Sequence, residues 1–185
     1  AIRYRETDAL TAIKSVAASE VGIAVIRYQT IYETYFLSAL AERSLWYEPV
    51  WEFALAALMS AEHPLAAKGL IEEADLTKYT QIVHGDLVVP ALPVAEARQL
   101  AEEREKRRTI SVYERGSQFE LLSRIPSTYI LGSPVPRDVL DRFRLVQRPC
   151  ALPNNRYRDV LIARTEYHYS RADRLFIEKL RQAAE

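Results

Sequence analysis

The chain has 185 residues, with 25 Lys or Arg against 25 Asp or Glu, three histidines and one cysteine. That length suits a single domain with an ordinary core, and the lone Cys150 excludes an intramolecular disulfide framework, which points to a reducing compartment. The zero net charge hides a polarity: residues 1 to 97 carry seven basic and thirteen acidic side chains, and residues 98 to 185 carry eighteen and twelve.

The first ten residues place charges where a secretory leader would have its apolar core. Apolar runs stop well short of the ~20 residues a spanning helix needs, because 21–26 ends at Arg27 and 53–61 is bounded by charges. A soluble, cytoplasmic protein without membrane contact is the expectation. From Ala9 to Ala41 no proline interrupts the chain, and Val21, Val25, Tyr28, Tyr32, Tyr35 and Ala39 recur at helical spacing. This predicts a long central helix over about 8–41, started by Thr7 or Asp8 as N-cap. Gly22 is its weak point, and a break near Ser19 to Gly22 is the alternative.

Residues 42–49 read as a corner packed by Trp46, Tyr47 and Trp51, with Pro49 suited to the first turn of a second helix over Val50–Ser60. His63-Pro64 ends it. Residues 65–85 suggest two short helices broken at Gly69. They do not read as a helix-turn-helix, because Glu72, Glu73 and Asp75 at the start of a recognition helix would repel phosphate. The stretch 86–94 holds two prolines and reads as an edge or crossing segment, and 94–108 as an outer helix with Glu102–Lys106 and Glu103–Arg107 pairs.

After Arg108 the pieces become short and β-branched or aromatic (TISVYE, FELLSRIP, STYILG, FRLVQ, DVLIARTEYHY), with prolines between several of them, which predicts strands, helix being the alternative for the last piece because its apolar residues do not alternate cleanly. Ser170 and Asp173 have capping-box spacing before a closing helix that carries Leu175, Phe176, Ile177 and Leu180. The fold class predicted is α+β and α-rich: a helical N-terminal half, then short strands with a closing helix. It is taken as one domain, 1–185, divisible into an acidic helical part, 1–92, and a basic mixed part, 93–185.

Chemistry-bearing side chains concentrate late in the chain. Ten arginines lie between 124 and 174 against five acids, among Tyr129, Phe143, Tyr157, Tyr167 and Tyr169. Arginine and tyrosine suit partner contacts, so Arg156, Arg158, Arg164, Tyr167, Tyr169 and Arg171 are the predicted binding residues. The leading functional expectation is a non-catalytic interaction or assembly subunit with a protein partner or a second copy of itself. The alternative is phosphate or nucleic-acid binding by the same arginines. A third reading is that these arginines simply neutralise the acidic half within one fold.

For an enzyme the candidates are few. On a strand Glu166 and His168 would share one face, a carboxylate orienting an imidazole base. Gly132-Ser133 after an apolar strand, followed by Asp138 and Asp141, resembles the nucleotidyltransferase family over about ten residues, which would imply metal-bound acids. This sequence departs from that pattern, with Asp-x-x-Asp where the family has Asp-x-Asp. The plainer reading is a proline-rich loop leading into a short helix through Phe143. His63, His84 and His168 are far apart and lack ligand spacing, so no metal and no cofactor are expected.

Overall fold

The computed structural model describes residues 2–84, 107–113 and 116–184. The chain forms two compact units, the first made of Ala1–Phe53 with Arg156–Glu185 and the second of Ala54–Asn155. The main chain therefore passes between the units twice, at Phe53–Ala54 and at Asn155–Arg156.

In the first unit α1 (Ala9–Ala17) starts at Asp8, whose side chain accepts from the Thr11 N–H at 2.9 Å. The helix stops at Ala18, and Ser19 takes a left-handed φ of 64°. The next element is a strand, β1 (Ile23–Gln29), with Ile26 and Tyr28 buried and Val25 and Arg27 turned outward. The 8–41 helix is thus corrected to helix, strand and helix. Val21, Val25 and Tyr28 fit a helical period, but Ala24, Ile26 and Tyr28 fit a period of two, and antiparallel pairing with a distant strand decides between them. A single 3-10 turn (Thr30–Tyr32) then leads into α2 (Glu33–Ala41).

The predicted corner and second helix are corrected in the same way, because Leu45–Phe53 is one strand, β2. Its partner β9 (Tyr157–Arg164) is central in a three-stranded antiparallel sheet of order β1-β9-β2. Pro49 is tolerated because β2 is an edge strand and the register shifts between Pro49 and Trp51, leaving Val50 as a bulge. Helices α1 and α2 cover one face through Ile13, Val16, Phe36 and Leu40 against Ile26, Val160 and Ile162. After β9 the closing helix, α6 (Arg171–Ala184), contacts β2. Its N-terminus has the predicted reciprocal cap, with Ser170 N–H donating to Asp173 Oδ2 at 2.7 Å and Asp173 N–H to Ser170 Oγ at 3.2 Å.

The second unit is a six-stranded sheet of order β4-β8-β3-β7-β5-β6. Its strands are β3 (Ala56–Ser60), β4 (Ile71–Glu72), β5 (Thr80–His84), β6 (Thr109–Val112), β7 (Thr128–Gly132) and β8 (Leu145–Ala151). Helices α3 (Glu73–Leu76), α4 (Gln118–Arg124) and α5 (Arg137–Phe143) complete it among the described residues. Two separate clusters form its core: Ala57, Met59, Ile71 and Tyr129 belong to one, Leu58, Ile82, Leu122 and Ile130 to the other. Alternate residues of β3 and β7 go to opposite clusters, so the sheet is buried on both faces. FELLSR, read as strand material, is α4. With nine strands and six helices described, the protein is a mixed α/β protein and not an α-rich one. The expected crossing segment at 86–94 and most of the expected helix at 94–108 lie outside the described residues.

Candidate functional site

Strand β9 and the residues flanking it carry the predicted binding residues to two separate places in the first unit. At its start, Tyr28, Glu52 and Arg158 point to the face that α1 and α2 cover, since they are register partners across β1, β9 and β2. Arg158 bridges two acids, donating from Nη2 to Glu52 Oε2 at 2.7 Å and from Nη1 to Glu33 at the start of α2. These hydrogen bonds, with Glu52 the first, hold the guanidinium pKa above its ordinary value, and the same bond to Arg158 holds the Glu52 carboxyl below its own. Burial is the main reason that the Tyr28 hydroxyl is pushed up, with Glu33 at 3.5 Å adding to it. Arg156 is exposed and lies 3.6 Å from Glu52.

The opposite face has its own ion pair at this end. Arg27 makes a bidentate contact to Asp159 at 2.7 Å for each bond and stands 4.6 Å over the Phe53 ring. Phe53 also stacks with Tyr157 and lies 4.4 Å from Trp51.

At the other end of β9 lies a groove of about 600 Å³ between α6 and the second face of the sheet. Ile177, nearly buried, contributes to its floor, and Trp46 and Tyr169 form an aromatic wall, ring edge to ring face at 6.5 Å and 76°. Arg181 on α6 is clamped to Glu48 on β2 by two bonds of 2.8 and 2.9 Å, which raises its already high pKa. Arg164 donates to the Val16 carbonyl at 3.0 Å and stands 5.5 Å over the Tyr167 ring. Tyr167 meets Tyr169 edge to face and donates to Asp173 Oδ2 at 3.0 Å. Burial first, then this bond, raises the Tyr167 pKa. Burial also pushes Asp173 up, but the bonds from Ser170 and Tyr167 outweigh it, and the carboxyl ends below its usual range. Of the predicted residues, then, Arg164 and Tyr169 line the groove, Tyr167 supports it from behind, and Arg171 is exposed at the start of α6. Trp46, Glu48, Arg174 and Arg181 were missed as a group, because only folding brings β2 to the closing helix.

The candidate catalytic pair does not assemble. The chain leaves β9 at Arg164, and both Glu166 and His168 are exposed. His168 Nδ1 meets the Glu166 backbone oxygen at 3.0 Å, not its carboxylate. At the Gly132-Ser133 loop, the acids Asp138 and Asp141 sit on α5, with Asp141 3.9 Å from Arg137, so the plainer reading of that segment is the one the chain adopts. Among the described residues no group of three or more His, Cys, Asp or Glu is placed to hold a metal ion. Burial raises the Cys150 pKa, which keeps the thiol protonated. Among the described residues no helix is long and apolar enough to cross a membrane.

No protein-family model and no curated protein sequence matches this chain. Solved structures do resemble it. The effector-binding domain of QuiR in complex with shikimate aligns with a TM-score of 0.62 at 16% identity, over 96% of this chain and 78% of that one. The C-terminal domain of a probable LysR family transcriptional regulator from Rhodococcus sp. RHA1 aligns at 0.60 and 19%, over 97% and 83%. The Synechocystis PCC6803 CcmR regulatory domain in complex with 2-PG aligns at 0.57 and 15%, over 97% and 81%. The fold is therefore the one these regulatory domains share. The expectation of a generic assembly subunit is corrected by that likeness. The physical reason is visible at Arg156 and Arg158, whose charges are met by Glu33 and Glu52 of the same chain.

Proposed function

We propose that this chain is the effector-binding part of a LysR-type transcriptional regulator, a module that binds a small organic molecule and passes the binding on to a DNA-bound assembly. The observation that carries the reading is the alignment of nearly the whole chain with an effector-binding domain in complex with shikimate. The two units joined by two chain passages, and arginine placed beside aromatic rings in the first of them, are the features such a role uses. Nucleic acid is not its direct ligand, because the chain is neutral overall and Arg156 and Arg158 are already paired. The proposed role puts the protein in the cytoplasm, and a second copy of the chain is the partner it favours.

The test is a thermal-shift screen of the purified chain against hydroxy acids, aromatic acids and phosphorylated small acids. A ligand at about a hundred times its dissociation constant should stabilise the fold by roughly 2.7 kcal/mol, a shift of several degrees. If no small molecule gives a saturable shift while a nucleic-acid oligomer does, the proposal is wrong.

A further inference from the structure

We infer that the groove between β2 and α6 is a binding site for a small aromatic monocarboxylate, complete within the first unit. This goes beyond the regulator reading and rests on the groove's own geometry, so either can fail without the other.

Charge selects the class of ligand. Arg164, Arg174 and Arg181 line the groove with Glu48 and Glu178, but the Arg164 guanidinium turns to the α1 side and donates to the Val16 carbonyl. Arg181 and Glu48 neutralise each other through their bidentate contact. That leaves Arg174, whose side chain makes no hydrogen bond or ion pair among the described residues; Asp173 beside it, on which it acts electrostatically, is bonded to Ser170 and Tyr167, and Glu178 lies one turn further along α6. Arg174 is therefore the group open to a carboxylate. A guanidinium with all its donors unpaired is well suited to receive that group in a two-pronged contact.

Shape selects the ring. The exposed part of the Trp46 indole and the Tyr169 ring stand at a steep angle to each other, offering a face and an edge to a third ring, while Ile177 supplies an apolar floor. The volume lies within the range usual for small-molecule sites. Tyr169 is held from behind by Tyr167, which is fixed in turn by Asp173, so the wall is rigid before a ligand arrives.

Phenylacetate and its neutral analogue phenylacetamide, titrated into the whole chain, test this with the Trp46 indole N–H resonance as reporter, assigned through Trp46→Phe. Phenylacetate should shift that resonance saturably with a dissociation constant at or below about 1 mM, and phenylacetamide should bind about tenfold more weakly. Arg174→Gln should weaken phenylacetate about tenfold and leave phenylacetamide unchanged. Arg174 is exposed and unpaired among the described residues, so its replacement removes no folding contact. The inference is overturned by the absence of a saturable Trp46 shift, by equal binding of the amide, or by an Arg174→Gln protein that binds phenylacetate as tightly as the original.

Discussion

Gly22→Ala tests whether the turn after α1 and the aromatic wall are one mechanical unit. A Cβ built on Gly22 would stand 2.1 Å from Tyr167 Oη and 2.4 Å from its Cζ, closer than any real contact. Gly22 does not have a positive φ, so alanine is acceptable to the backbone and by itself gains about 0.4–1 kcal/mol through the unfolded chain. The cost falls on Tyr167, whose ring must swing away. It then loses the bond to Asp173, about 1 kcal/mol, the Arg164 cation over its face, about 0.5–1, and the edge contact to Tyr169, about 0.5–1. The net expectation is about 1–2 kcal/mol of destabilisation in urea unfolding. In a Tyr167→Ala background the obstacle is gone, and the same glycine replacement should become neutral or stabilising. That reversal of sign is the diagnostic result in a double-mutant cycle. Additive effects of the two changes would refute the reasoning, since they would mean that Tyr167 does not occupy the space beside Gly22.

Two further expectations concern the second unit. His63 is buried, its Nδ1 accepts the Leu65 N–H at 3.0 Å, and Nε2 has no partner among the described residues. Burial lowers its pKa, so the folded state resists a proton that the unfolded chain takes up near pH 6.5. The stabilisation is fully present above that value and is lost as pH falls towards the folded pKa, at up to about 1.4 kcal/mol per pH unit. His63→Asn keeps an acceptor near the Nδ1 position, and its urea midpoint should fall less between pH 7.5 and 5.5 than the original's; parallel curves would rule the histidine out. Asn155 accepts the Leu55 N–H at 2.8 Å and donates to the Leu55 and Cys150 carbonyls at 2.9 and 3.2 Å, tying together the two segments where the second unit begins and ends. Asn155→Ala should cost about 1–3 kcal/mol and lower the melting temperature by several degrees, whereas a change below ~0.5 kcal/mol would show that the tie is dispensable.

How far the chain could be read depends on the range of the forces involved. Caps are local, and Asp8 and the Ser170–Asp173 pair could be read directly because donor and acceptor lie three residues apart. Strands are not local. Ala56–Ser60 lies between two neighbours with both faces covered, so it shows no polar alternation and resembles a buried helix. Leu45–Phe53 contains a proline that ordinarily argues against a strand, and its edge position together with the bulge at Val50 makes room for it. The segment DVLIARTEYHY leans to strand with helix open; the strand that forms is Tyr157–Arg164, and its central place in the sheet depends on partners more than a hundred residues away.

The same limit governs the sites. The opposite charges of the two halves were visible as numbers, and the reading in which they neutralise each other holds at Arg158, where acids at 33 and 52 meet a cation at 158. Which arginines are spent in this way cannot be counted from composition, because it depends on which strand β9 lies beside. Once β9 lies between β1 and β2, Arg156 and Arg158 are drawn to acids at one end, while Arg164 at the other reaches the Val16 carbonyl and the Tyr167 ring. One strand thus gives the arginines along it different partners within the chain. Arg174, on the helix after β9, makes no side-chain hydrogen bond or ion pair among the described residues, and Asp173 beside it is bonded to Ser170 and Tyr167.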